Sequence, residues 1–237
     1  MLTIREQILQ SIKTELAKIT TTNGYVTNIG THVYRGRYDL VEPELPGIVM
    51  IAEQDTNAEH LGHGVHEMPL TIDAFSKFVN SEGDASERAA RTSEHILGDI
   101  QACMLATRIT MPFTSGVRQP QIGSTLTGSS SSATAVLEST TLSSGSWSLG
   151  TAAGTFLLRL PWGSFTAENF LNSGGETIAA TTGVGTRYDL FSDLLNNVEY
   201  QRGGLDPLPD PGDDIVKISV SFSIFYATLA GNPYKQS

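Results

Sequence analysis

Apolar residues at Ile4, Ile8, Leu9, Ile12, Leu16 and Ile19 fall on one helical stripe, with Arg5, Glu6, Lys13, Glu15 and Lys18 on the opposite side. The spacing predicts a helix over residues 2–19. Thr3 is placed to cap it, with Glu6 three residues on to complete a capping box, and Asn23-Gly24 to end it. A second stripe of Ala89, Ile96, Leu97, Ile100, Cys103 and Met104 predicts a helix over roughly 84–107, with Glu87, Arg88, Arg91, Glu94 and Asp99 facing water. Between the helices the pattern becomes strand-like. Thr31–Tyr38, Gly47–Ala52 and Val65–Phe78 are candidate strands, the last with Leu70, Ile72, Ala74 and Phe78 on one face. Pro43 and Pro46 mark a turn or a sheet edge. The clearest strand is Ile215–Ala227. It places Val216, Ile218, Val220, Phe222, Ile224 and Tyr226 on one side and Lys217, Ser219, Ser221 and Ser223 on the other, a face that is either wet or covered by another subunit. Tyr188–Leu195 reads as a helical turn and Asn197–Gln201 as a strand. The pattern predicts a sheet of mostly antiparallel strands.

Residues 112–187 differ from this frame. Short segments such as Ala133–Leu137 and Thr155–Leu160 alternate with Gly-rich turns, an all-β signature. Trp147, Phe156, Trp162, Phe165 and Phe170 are available for a core. Gly128-Ser129-Ser130-Ser131-Ser132 alone has the composition of a linker, but the aromatics and periodic apolar runs favour a folded module. The segment holds Arg118, Arg159, Arg187, Glu138, Glu168 and Glu176 and neither Lys nor Asp, so the formal charge of −10 resides entirely in its flanks. The domain reading is therefore a discontinuous acidic frame of residues 1–111 and 188–237, with a Gly/Ser/Thr-rich β domain inserted at 112–187. A domain of the inserted size is only marginally stable alone, and it is expected to lean on its host or on a neighbouring chain.

The single cysteine, Cys103, excludes an intrachain disulfide and sits on a helix stripe as a core residue. The opening residues carry no leader pattern, and no apolar run approaches a membrane span; the expectation is a soluble protein with no membrane partner, made or assembled inside a cell. The acidic balance argues against non-specific grip on nucleic acid, which depends on Lys and Arg displacing counterions. It suits a wall along which DNA slides without sticking.

Candidate chemistry is sparse. No phosphate loop, dinucleotide turn or nucleophile elbow occurs. His66-Glu67 begins a zinc-protease motif, but Leu70 stands where the second His belongs and Pro69 breaks the required helix. His60, His63 and His66 are the weak metal candidates. Gly62 and Gly64 disfavour the helix that would align them, and the alternative is a polar hairpin. The acids of 206–214 suit a solvated turn better than a calcium loop, because their intervals are wrong and prolines intervene. Arg35 and Arg37, flanking Gly36, either hold a carboxylate or phosphate or lie on a solvated strand. Nothing assembles a nucleophile, a base and an oxyanion site, so the expectation is not an enzyme, with no cofactor.

The order of elements resembles the tail terminator proteins of long-tailed bacteriophages. The likeness rests on the helix Ile4–Ile19 with its Thr/Asn/Gly turn, on Val33-Tyr34-Arg35-Gly36-Arg37-Tyr38 leading through Glu44-Leu45-Pro46-Gly47 into an apolar strand, and on Ile218–Tyr226 running into Asn232-Pro233-Tyr234. It covers most of the frame. The resemblance implies an α+β subunit, a mostly antiparallel sheet with two helices packed on one face. Six such subunits would form a ring at the head-proximal end of the tail tube, in the virion neck. The implied partners are further copies of the chain, the tail tube protein and a neck or head-completion protein, with DNA passing through the lumen. The chain departs from the pattern at 112–187. That insert is similar to the small Gly/Thr-rich β modules of phage virion proteins, through Gly123-Ser124-Thr125-Leu126-Thr127-Gly128 and Ala133-Thr134-Ala135-Val136.

Closure of such a ring requires head-to-tail contacts. Arg35 and Arg37, and Ser219, Ser221 and Ser223, are the candidate subunit-interface residues. The competing readings are another neck component (a tail completion or head–tail joining protein) and a carbohydrate-binding module using Trp147 and Trp162 as stacking platforms.

Overall fold

The computed structural model describes residues 2–60, 63–78, 85–181, 183–188, 191, 194–205, 214–229 and 232–236; the side chains of 57–60, 63, 85 and 86 are outside that description. In chain order the elements begin with helix α1 (Ile4–Leu16), then strands β1 (His32–Arg35), β2 (Gly47–Ala52), β3 (Thr56–His60) and β4 (His63–Lys77), then helix α2 (Ala85–Leu105). The next group is β5 (Arg108–Gly116), β6 (Thr125–Gly128), β7 (Thr134–Ser144), β8 (Ala152–Trp162), β9 (Asn169–Leu171), β10 (Thr177–Thr181) and β11 (Thr186–Tyr188). The chain closes with β12 (Asn197–Leu205) and β13 (Ile215–Leu229). The protein is α+β, with two α-helices and extensive antiparallel sheet among the described residues.

Two compact units divide the chain. The first comprises 1–20, 26–105 and 191–237, and the second comprises 21–25 and 106–190. These boundaries lie outside 112 and 187 because a strand cannot be cut: β5 starts at Arg108 and its first residues pair with all of β11.

In the first unit the sheet order is β1-β2-β4-β13-β12, with β3 pairing β4 beyond the end of β2. All neighbours are antiparallel except β1 and β2. The seam is β4 with β13, in unbroken register from His63↔Leu229 to Lys77↔Ile215. Strand alternation sends Met68, Leu70, Ile72 and Ala74 of β4, and Val216, Ile218, Val220, Phe222 and Ile224 of β13, into a core where each is at most 1% exposed. Ile4, Ile8, Leu9, Ile12 and Leu16 of α1 and Ile96, Ile100, Cys103 and Met104 of α2 are buried. The two helices touch each other, and α2 lies against β12 and β13. Pro69 sits within this central strand without disrupting it. Its carbonyl accepts from the Glu53 amide where β2 gives way to β3, so the missing N–H falls in the gap between two partner strands.

Two expectations about the helices change. Thr3 caps α1, its Oγ accepting from the Glu6 amide at 3.1 Å, but the Glu6 carboxylate accepts from Arg35 and Gln10 rather than completing a capping box. The helix ends at Leu16, well before Asn23-Gly24. Asp99 is buried rather than facing water. It accepts from the Val26 and Thr27 amides (3.1 and 2.7 Å) and the Thr27 hydroxyl (2.7 Å), anchoring the return of the chain to α2.

The second unit is a closed barrel. Its order runs β10-β9-β6-β7-β8-β5-β11, and β10 also pairs β5, which joins the ends of the path and leaves β11 appended. Closure removes the free edges that a small sheet otherwise presents. Met111, Phe113, Leu126, Leu137, Phe156, Leu158, Phe165, Phe170 and Ile178 fill the interior. Trp162 does not join them: it is 79% exposed at the end of β8. Pro112 falls between the residues of β5 that pair β11 and those that pair β10, again at a gap.

The stretch 21–25 completes this barrel. Arg108 and Arg159, each 1% exposed, flank Glu138: Arg108 donates two hydrogen bonds to it (2.8 and 3.0 Å) and Arg159 lies 3.7 Å away. Arg159 also stacks over the Tyr25 ring at 3.8 Å and donates to the Asn23 carbonyl at 3.1 Å. Gly24 (φ +75°) and Gly123 (φ +81°) let two backbones pass so closely that a Cβ on Gly24 would lie 2.6 Å from the Gly123 oxygen. The cluster holds two cations and one anion away from water, and a buried pair that loses one member is strongly destabilised.

Asp99→Ala leaves two amides and a hydroxyl without their acceptor, and is expected to lower stability by about 2–3 kcal/mol in urea unfolding. Asp99→Asn, which keeps an acceptor oxygen, is expected to cost markedly less.

Candidate functional site

The arginines singled out in the sequence line a pocket in the first unit. The turn after β1, made at Gly36 (φ +71°), brings Arg35 and Arg37 to an opening of about 370 Å³ shared with Arg5 of α1 and with Tyr38. Leu9 and Met50 contribute buried apolar surface to it. Each guanidinium is held by an acid of its own chain. Arg35 grips Glu6 through two bonds of 2.8 Å, Arg37 grips Glu44 at 2.8 and 2.9 Å, and Arg5 bonds Asp55 at 2.9 Å and the Glu53 carbonyl at 2.8 Å. Arg37 also lies 4.5 Å over the Tyr34 ring. The bond from Arg35 holds the Glu6 carboxyl down to about 2, and Arg37 does the same for Glu44. Tyr38 stands at the rim with 82% of its surface exposed. Three arginines around an apolar floor, with an unburied tyrosine beside them, is a composition enriched in binding hot spots.

The serine face of β13 is also engaged within the chain. Ser219 donates to Asp73 (2.8 Å) and Ser223 to Glu67 (2.8 Å), while Ser221 lies 3.5 Å from Thr71; Lys217 approaches Asp73 at 3.2 Å. Asp73 and Ser223 are buried, so this face is a lattice of hydroxyls paired with two carboxylates and a threonine rather than bare hydroxyls.

The histidines are not brought together as a described site. His66 stacks on Tyr226 (4.8 Å between centroids) with its Nε2 2.9 Å from the Thr228 hydroxyl. His60 and His63 are backbone register partners, and their side chains lie outside the described residues. Among the described residues no group of three or more His, Cys, Asp or Glu is placed to hold a metal ion. Of the acidic loop 206–214, only Asp214 lies within the described residues. No helix among them is long and apolar enough to cross a membrane.

In the barrel, the two tryptophans part company. Trp147 stacks on Phe113 (5.2 Å, 19°) and packs against the core, whereas Trp162 offers its ring to solvent beside Leu160, itself 47% exposed and at φ +54°. The serine run that reads as a linker is a carboxylate-binding turn. Glu168 accepts from the amides of Ser130, Ser131 and Thr166 and from the hydroxyls of Ser130 and Ser131, at 2.6–3.0 Å. Burial raises the Glu168 carboxyl, but the bonds from Ser131, Thr166 and Ser130 outweigh it and hold it at about 2. Asp99 is an acid that patterning misassigned, and Glu168 is one to which it gave no role. The signal for Glu168 was a hydroxyl-rich turn in a segment with only three acids, Glu138, Glu168 and Glu176.

No protein-family model matches the chain, and no characterised protein matches it in sequence.

Glu168 binds its proton more weakly when folded, at about 2 against an ordinary value of 4.5, so its contribution to stability is complete above about pH 4.5 and is lost as pH falls towards 2. Glu168→Gln is expected to flatten that part of the acid limb in urea midpoints measured from pH 6 to pH 2. A limb identical to that of the parent would exclude the carboxylate as its source.

Proposed function

We propose that this protein is a structural virion component of the tail-terminator type. In this reading the first unit closes into a homo-oligomeric ring, a hexamer by the resemblance, on the head-proximal end of a phage tail tube. The ring ends tube growth, docks to the neck or head connector, and lets DNA pass through its lumen. The observation that carries the reading is the first unit itself: residues from both ends of the chain meet in one mostly antiparallel α+β sheet with two helices, the frame that the resemblance implies. Two physical features support it. A chain of net charge −10 repels the DNA backbone instead of gripping it, as a conduit requires. The outer strand β12 carries Glu199 and Arg202 around a register shift, and β1 has only four residues, so neither edge is a good template for unlimited strand addition. The role is non-enzymatic and needs no cofactor.

The exposure of Trp162 favours one additional role, a glycan contact by the barrel, since an unburied indole is a stacking platform for sugar rings. It is tested on the full chain, because the barrel incorporates residues 21–25. Binding on a glycan array that disappears in Trp162→Ala supports that contact, and an empty array rejects it.

For the principal role, the purified protein is expected to form closed rings in negative-stain electron micrographs. Added to polymerising tail tubes it is expected to fix their length. Tubes that grow unchanged in its presence would reject the terminator reading, while rings on the same grids would favour another neck component.

A further inference from the structure

Trp162 lies outside the barrel because of one irregularity in the backbone of β8. Phe156 and Leu158 of β8 are in the core, as are Ala133, just before β7, and Ala135 and Leu137 within it. Strict alternation from Leu158 would send Leu160 and Trp162 inward as well. The ladder does not continue that way. Arg159 pairs with Val136 and Trp162 with Thr134, so β8 advances by one residue more than β7 between these two pairs. The extra residue makes a β-bulge, and Leu160 stands in it at φ +54°, a left-handed conformation that such bulges ordinarily give to glycine. Its amide is held by the Thr107 carbonyl at 3.0 Å. In an unbroken ladder Trp162 would fall opposite Ala133, in the core. With the bulge its ring shares the outer face with Thr134 and is exposed. Bulges re-aim side chains at barrel rims and beside binding sites, and backbone strain of this kind clusters in the same places.

We propose that Trp162, turned outward by the bulge at Leu160 and flanked by Thr134, is a platform for an uncharged sugar ring. The proposal rests on the glycan contact of the barrel, to which it adds the class of ligand and the residue that presents the indole. The charges of the described barrel offer no grip on an ionised ligand. Arg108, Arg159, Glu138 and Glu168 are buried, Arg118 pairs with Glu176, and Arg187 is on β11, with β5 between it and β8. A carboxylated or sulfated sugar would give up water at its charge and meet no cation. A neutral pyranose loses only C–H surface to the indole and keeps its hydroxyls in water or bonded to the Thr134 hydroxyl across the ladder. Pro161 and the pairing with Thr134 fix the backbone on which the ring stands, so little conformational entropy is lost on stacking. The size of the patch also suits a sugar. The exposed Leu142 of β7 lies opposite Gly154, about eight positions along β8 from Trp162, or roughly 26 Å at about 3.3 Å per residue. It does not extend the Trp162 surface towards the roughly 800 Å² per side of a stable protein interface.

The test uses the full chain on an array carrying neutral hexose oligosaccharides beside sialylated, uronic-acid and sulfated ones, with bound sugars titrated in solution by tryptophan fluorescence. Neutral sugars are expected to bind, with affinity little changed at about 1 M salt. Trp162→Ala is expected to weaken them at least about tenfold. Leu160→Gly, which relaxes the left-handed residue, is expected to hold or raise the thermal midpoint while weakening binding several-fold; a purely structural residue would move both downward together. Undiminished binding by Leu160→Gly overturns the role of the bulge. Binding confined to ionised glycans overturns the neutral class and leaves the glycan contact standing. An empty array rejects the glycan contact and this inference with it. An empty array together with a sedimentation shift in Trp162→Ala identifies the ring as a protein anchor, and it too overturns the proposal.

Discussion

The pairing of β4 with β13 is the constraint on which the first unit depends. It joins residues 63–77 to residues 215–229 across the longest sequence separation in the sheet, with residues 106–190 of the second unit lying between them in the chain. Each side of this ladder has a separate task. Towards the helices it presents an unbroken apolar surface, and on its other side it presents Asp73, Thr71 and Glu67 opposite the three serines. A slip of one residue would exchange the two faces and bury the carboxylates among leucines, so the register is fixed by the cost of that exchange. Closing so long a loop is entropically unfavourable, although the penalty grows only logarithmically with loop length. A compact insert with a core of its own reduces it further, because a folded domain is not a flexible loop.

The second unit meets its own stability problem by different means. Barrel closure leaves few unpaired strand groups, and the Arg108–Glu138–Arg159 cluster draws residues 21–25 into the unit through Tyr25 and Asn23. Charged clusters of this kind contribute less to net stability than an apolar replacement of the same shape, and they are damaging when broken. Their value here lies in specifying which segment completes the barrel. Glu168 performs the same service for a turn rich in glycine and serine that has no apolar reason to hold its shape.

Much of this was legible in the order of residues. The stripes of α1 and α2 and the alternation of β4 and β13 are strong periodic signals, and each appears within a few residues of its expected place. The α+β class followed from them. What patterning missed was of three kinds. Asp99 reads as a solvent-facing helix residue, since nothing local announces that two amides seventy residues earlier in the chain need an acceptor. Trp162 reads as core by composition, yet as the last residue of β8, in register with Thr134 of β7, it turns its ring to solvent. Asn23 reads only as part of a helix stop and Tyr25 carries no local signal, while their partner Arg159 is remote in sequence. Arg35 and Arg37 were legible as a candidate pair. The acids that hold them, Glu6 and Glu44, were legible only as helix and turn residues. Long-range polar contacts carry no period, and this is why the sites were harder to read than the frame.

The central claim is that the two ends of the chain fold as one cooperative unit sealed by the β4–β13 ladder. Native-state hydrogen exchange tests it most directly. The account predicts that amides of residues 65–77 and 216–228 exchange with a common free energy, which falls by the same amount in both strands as denaturant is added. Exchange of β13 through a separate, lower-energy opening, with β4 still protected, would contradict it.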